Sequence, residues 1–155
     1  MMVLSEPRGA VRGITELLSA DHERLKQLLE HVRSAVRCVA WANARGLFRT
    51  FAADFRRHMR LEETLVFPLF AVRVKIVGPI RVMNDEHRRL EALIEMLVGL
   101  LDREEGAAFT GAFDELTNLI AVHNIKEERI VFPKTDDLLS DTERSALRER
   151  LNNEM

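Results

Sequence analysis

Residues 51–68 read FAADFRRHMRLEETLVFP, and residues 116–133 read LTNLIAVHNIKEERIVFP. At an offset of 65 residues His58 matches His123, Glu62-Glu63 matches Glu127-Glu128, and Phe67-Pro68 matches Phe132-Pro133. Upstream, Asp21-His22 recurs at the same offset as Glu86-His87. Four of the five histidines take part. Each half reads His, a second His 36 residues on, Glu four residues later, and then Phe-Pro. Histidine and glutamate both ligate metals, so a duplicated set can build a site for two ions.

The two stretches carry a helical period. At about 100° per residue from His58, Phe51 falls near about 20°, Glu62 about 40°, Phe55 about 60° and Leu65 about 340°. From His123, the same steps place Leu116 near about 20°, Glu127 about 40°, Ile120 about 60° and Ile130 about 340°. His22 shares its face with Leu18, Leu25 and Leu29, and His87 shares its face with Met83, Leu90 and Ile94. All four histidines and both glutamates are therefore expected to face the core. A lone inward histidine is most simply a hydrogen-bonded core residue. A buried carboxylate is costly unless it is paired or bound to a metal. Two glutamates at matched positions beside four inward histidines need one common explanation. Two cations would neutralise the carboxylates, with neutral imidazoles as the other ligands.

Outward from these stretches the chain reads as helix from end to end. Helices are expected over about 13–40, 46–71, 80–104 and 111–132, with breaks at Gly78-Pro79 and at GAAFTG, residues 106–111. Ser140 followed by Glu143 resembles a capping box that opens a short last helix, about 140–151. Four amphipathic helices with short connections predict an all-α, up-down-up-down four-helix bundle over about 13–135, with the short extra C-terminal helix. The whole of 1–155 is expected to be one domain.

Composition closes off other classes. No apolar run is long enough to span a membrane. The opening MMVLSEPRGAVRG lacks the apolar centre of a signal peptide. Cys38 is the single cysteine, so no internal disulfide can form, and this fits a cytoplasmic protein. The net charge of -2 leaves no footprint for nucleic acid. The halves nevertheless differ. Residues 1–77 hold 13 Lys+Arg and 8 Asp+Glu (+5), whereas residues 78–155 hold 10 and 17 (-7). Arg49, Arg56 and Arg60 fall on one helix face away from the apolar stripe. That face reads first as solvated, and second as a docking surface for an acidic partner or another subunit.

The pattern His22…His58-x3-Glu62…His87…His123-x3-Glu127, with both Phe-Pro ends, resembles the hemerythrin-like (HHE cation-binding) domain. The likeness covers about residues 15–135, and LSDTERSALRERL looks like the extra helix of many bacterial members. It implies a four-helix bundle holding two iron ions, a non-haem di-iron centre bridged by an oxo or hydroxo group. On that likeness His22 and His58 hold one iron, His87 and His123 the other, and Glu62 and Glu127 bridge them. Zinc or manganese are expected substitutes, because His and carboxylate discriminate poorly among these ions.

The chain also departs from the O₂-carrying members, which place a histidine four residues after the one on the third helix. Here that position is Glu91, which either supplies an oxygen ligand in the histidine's place or is a rim carboxylate. Its repeat mate is Lys26, so unequal coordination of the two ions is expected. Glu63 and Glu128 read as groups outside the ligand set or on the surface. Asp21 and Glu86 either orient imidazoles or lie on a solvated face. His31 reads as surface, Trp41 as packing at the bundle end, and Cys38 as off the core stripe. The expected function is a di-iron binding protein that senses or responds to O₂, NO or iron, acting through a protein partner or a second copy. The alternatives are a di-iron redox enzyme (peroxide or NO reduction, or ferroxidase) and an iron donor for cluster repair.

Overall fold

The computed structural model describes residues 12–155, which are helical with no strand among them. Helix α1 spans Ile14–Arg37 and α2 spans Trp41–Leu61. A π-helical turn, Glu62–Val66, carries α2 into α3, Phe67–Val74. Helix α4 spans Gly78–Asp102 and α5 spans Gly106–Lys126. A second π turn, Glu127–Val131, leads into α6, Phe132–Leu138, and α7 follows at Asp141–Glu154. Residues 1–11, with most of the MMVLSEPRGAVRG stretch, lie outside the described residues. Helix α1 lies along α2 and α4 along α5; α2 packs on α4, and α1 touches α5, α6 and α7. No described helix is long and apolar enough to cross a membrane.

The helical period decides what is buried. One apolar cluster gathers Leu25, Leu29, Phe48, Phe51, Phe55, Leu90, Leu97, Phe113 and their neighbours. A second gathers Ile14, Leu18, Leu61, Val66, Phe67, Met83, Val131 and Phe132. The four histidines lie between these clusters in chain position. His22 falls between Leu18 and Leu25, His58 between Phe55 and Leu61, His87 between Met83 and Leu90, and His123 between Ile120 and Val131. The bundle thus carries a polar layer between two apolar ones.

Two expectations are corrected at helix ends. GAAFTG is not a break, because α5 already begins at Gly106. The chain turns earlier, at Glu104, which adopts the left-handed conformation (φ 57°). Its repeat mate Val39 does the same (φ 56°) and ends the run of α1, so α2 begins at Trp41 rather than 46. Trp41 packs at this end of the bundle, and a Cβ on Gly106 would meet its ring at 3.2 Å. Half of the expected capping box is seen: Ser140 Oγ accepts from the Glu143 N–H at 3.2 Å, while the Glu143 carboxylate pairs with Arg73 at 2.8 Å. Asp136 caps α1 from a distance, accepting from the N–H groups of Ile14 (2.9 Å) and Thr15 (3.0 Å).

The π turns change the helical phase. A π turn closes i→i+5 bonds and so takes up an extra residue. Leu65 and Ile130 were expected to face inward, yet Leu65 is half-buried and Ile130 is 56% exposed. Val66 and Val131, one residue further on, are buried instead. The slip also accommodates Pro68 and Pro133, which lack an N–H and sit in the first turn of α3 and α6.

Candidate metal centre

His58 and His123 sit near the ends of α2 and α5, one turn before Glu62 and Glu127, which open the π turns. His22 lies on α1 and His87 on α4. All six side chains are buried, and both glutamates are completely so. They form two overlapping groups. His22, His58, Glu62 and Glu127 make one; His87, His123, Glu62 and Glu127 make the other; in each, one ligand-type atom per residue lies within 4.8 Å of all the rest. The two carboxylates are common to both.

The orientation of the rings follows from the outer partners. The Nδ1 of each histidine meets a carboxylate: His58 meets Asp21 at 2.7 Å, His123 meets Glu86 at 2.7 Å, His22 meets Glu128 at 2.8 Å and His87 meets Glu63 at 2.7 Å. A carboxylate at Nδ1 favours the Nδ1–H tautomer and leaves the Nε2 lone pair free. The Nε2 atoms accordingly converge, His22 on His58 at 3.0 Å and His87 on His123 at 3.0 Å. His58 Nε2 also lies 2.8 Å from Glu62, and His123 Nε2 touches Glu127. Phe132 packs on the His22 ring at 5.6 Å and Phe67 on His87 at 5.3 Å between centroids. Each Phe-Pro motif therefore supports an imidazole of the other half.

Asp21 and Glu86 orient imidazoles, which settles their two alternatives. Arg24 holds Asp21 at 2.9 Å, and Lys126 contacts Glu86. Glu63 and Glu128 are not merely surface groups, although their side chains remain 44% and 38% exposed. On a regular helix they would point away from the centre, and the π turns bring them onto His87 and His22. The doubled Glu-Glu pair was the sequence signal for this role. His31 and Cys38 are exposed, as expected.

Glu91 is not brought into the cluster. The Arg56 guanidinium grips it, with Nε at 3.0 Å from both carboxylate oxygens and Nη2 at 2.6 Å. The same arginine reaches Glu95. The basic surplus of the first half is spent inside the chain in this way, with Arg33 on Asp114, Arg45 on Glu104, Arg49 on Asp102 and Arg73 on Glu143. Such exposed pairs add about 0–1 kcal/mol each, so they fix pairing of the halves more than they add stability.

Protons and carboxylates are finely opposed at the centre. Burial works against a charged His58, but the Glu62 charge and the Asp21 hydrogen bond outweigh it and raise its pKa to about 10. His123 is raised to about 9, as Glu127, Glu62 and Glu86 overcome burial. Burial would raise Glu62, yet His58 and its hydrogen bonds hold it well below the ordinary range. Burial and the facing Glu62 charge push Glu127 up to about 7. Glu62 Oε2, 3.2 Å from His87 Nε2, and both Glu127 oxygens, set against His123, are buried in contacts that do not form well-directed hydrogen bonds. Buried carboxylate oxygens without well-directed hydrogen bonds, facing inward Nε2 atoms whose protons a metal would displace, are an arrangement a cation completes, and the donor set fits one.

A cleft of ≈ 330 Å³ between α1 and α5 reaches His22 beside Lys26, Asn124 and Glu128. A shallower groove of ≈ 260 Å³ reaches His87 beside Arg56, Glu63 and Glu91.

The fold and the shared carboxylates define a helical cation-binding domain. The chain belongs to the hemerythrin HHE cation-binding domain family, whose model matches residues 13–135. No curated protein and no solved structure matches it.

Proposed function

We propose that the chain is a non-haem di-iron protein of the hemerythrin type, with His22 and His58 on one ion, His87 and His123 on the other, and Glu62 and Glu127 bridging. The carrying observation is that both glutamates belong to both groups while three of their buried oxygens make no well-directed hydrogen bond. The 3.0 Å spacing within each histidine pair supports this reading. Two nitrogens about 2.1 Å from one ion and at right angles would lie about 3 Å apart. Asp21, Glu63, Glu86 and Glu128 would hold the rings by their Nδ1–H groups and raise the basicity of Nε2. Bound iron would supply one-electron chemistry and open positions for a small diatomic ligand. The chain's own part is to shield that chemistry between two apolar clusters. In this reading the helices run up-down-up-down around the centre, with α7 as the extra C-terminal helix. The role is sensing of, or response to, O₂, NO or iron in the cytoplasm, relayed by a protein partner or second copy. Anaerobic iron loading, followed by O₂, peroxide and NO in turn under visible absorption, tests it. Two irons per chain with a spectrum that changes on ligand addition is the expected result. One iron or none would overturn the dinuclear reading.

A further inference from the structure

The duplicated centre is unequal at one place only a turn from a histidine. Glu91 follows His87 by four residues on the regular helix α4, the relation in which Glu62 follows His58 and Glu127 follows His123. Side chains four apart on a helix are neighbours, with Cβ atoms about 5–6 Å apart. His87 and Glu91 line the same open groove. The first half has Lys26 at the matching position after His22, and a cation there cannot ligate a metal. At this position, four residues after the histidine, the His87 half holds a carboxylate and the His22 half does not.

That carboxylate is occupied. Arg56 from α2 crosses the groove and takes both Glu91 oxygens in a forked contact, while also reaching Glu95 on the next turn. A guanidinium is the side chain best shaped for holding a carboxylate at two points. Both partners are about two-fifths exposed, so the pair can open without unpacking the core. With the pair closed, each half-site has the same protein donors, two imidazoles and the shared carboxylates.

We propose that Arg56 is a positioning residue: it latches Glu91 away from the His87–His123 half-site, and its release delivers a third carboxylate to that ion alone. With the latch closed, the groove beside His87 would stay free for an exogenous ligand; with it open, Glu91 would add an anionic donor there. This rests on the two-ion reading above.

The test is metal affinity by chelator competition under anaerobic conditions with Fe(II), on the full chain. Four proteins are compared: unsubstituted, Arg56→Gln, Glu91→Gln, and the double variant. Arg56→Gln keeps much of the stem and so its packing. It should tighten one of the two ions by about tenfold or more, the scale on which groups around a metal set affinity. The double variant should return to the unsubstituted value, and Glu91→Gln alone should stay within about twofold of it. Loss of a mere surface ion pair would not move metal affinity in one variant and restore it in the other. Visible spectra of Co(II)-loaded protein give a second readout, changing in Arg56→Gln and reverting in the double variant. Two ions bound, with neither affinity altered in Arg56→Gln, would overturn the latch alone. A tenfold loss in Glu91→Gln alone would also overturn it, because Glu91 would then already be a ligand. Fewer than two ions in the unsubstituted protein would overturn both readings.

Discussion

Glu127→Gln is expected to act in opposite directions on the metal-free and metal-loaded protein. In the metal-free protein, burial and the facing Glu62 hold the Glu127 carboxyl at about 7 instead of its ordinary 4.5. At about 1.4 kcal/mol per tenfold in proton affinity, the ionised form then costs roughly 3 kcal/mol. An acid whose folded pKa is raised loses stability as pH climbs through that window, from about 4.5 to about 7, and carries the full cost above it. Glutamine keeps the shape, cannot ionise, and can donate an N–H to the Glu62 carboxylate. In a domain of this size each kcal/mol shifts the melting temperature by roughly 2–4 °C, so the metal-free variant should melt about 6–12 °C higher at pH 8. That gain should fade towards pH 4.5. With metal the order reverses. Free ion at about 100 times Kd stabilises by roughly 2.7 kcal/mol per site, or about 5 kcal/mol for two. The variant forfeits this gain, roughly 10–20 °C, because Glu127 belongs to both half-sites. Calorimetry of chelated and iron-loaded samples between pH 4.5 and 8, with elemental analysis, measures both arms. A metal-free variant that melts no higher at pH 8, or one that keeps two ions, would refute the reasoning.

Glu62→Ala is expected to abolish binding of both ions, whereas Glu63→Ala or Glu128→Ala should keep the stoichiometry and weaken affinity by about 10–100-fold; equal retention in all three would show that the inner and outer carboxylates are wrongly ranked. Metal uptake at neutral pH should release protons, since His58 and His123 are held protonated up to about 10 and 9; affinity should therefore rise with pH, and titration calorimetry in buffers of differing ionisation heat would expose its absence. Asp136→Ala removes the remote cap of α1 and should cost about 1–2 kcal/mol, read in a urea melt. Val39→Gly relieves a β-branched residue at φ 56° and should stabilise by about 1 kcal/mol; a lower urea midpoint would contradict the strain assigned to that turn.

The repeat of His22, His58 and Glu62 as His87, His123 and Glu127 was legible in the chain before any fold was known. So was the inward phase of all six, because phase on a helix depends only on residue spacing. The apolar stripes followed for the same local reason, as did the Ser140 cap. The limits appear where spacing stops being regular. The π turns at Glu62 and Glu127 shifted the inward positions from Leu65 and Ile130 to Val66 and Val131, and swung Glu63 and Glu128 onto histidines of the opposite half. Pro68 and Pro133 marked the spots, but a proline does not say which way a helix will relax. The fate of Glu91 was equally hidden. Its position after His87 made it a candidate ligand, and Arg56 on another helix captured it. Which carboxylate meets which cation depends on how helices 35 residues apart in sequence lie against one another. Local periodicity carries no information about that contact, so only the packed structure decided it.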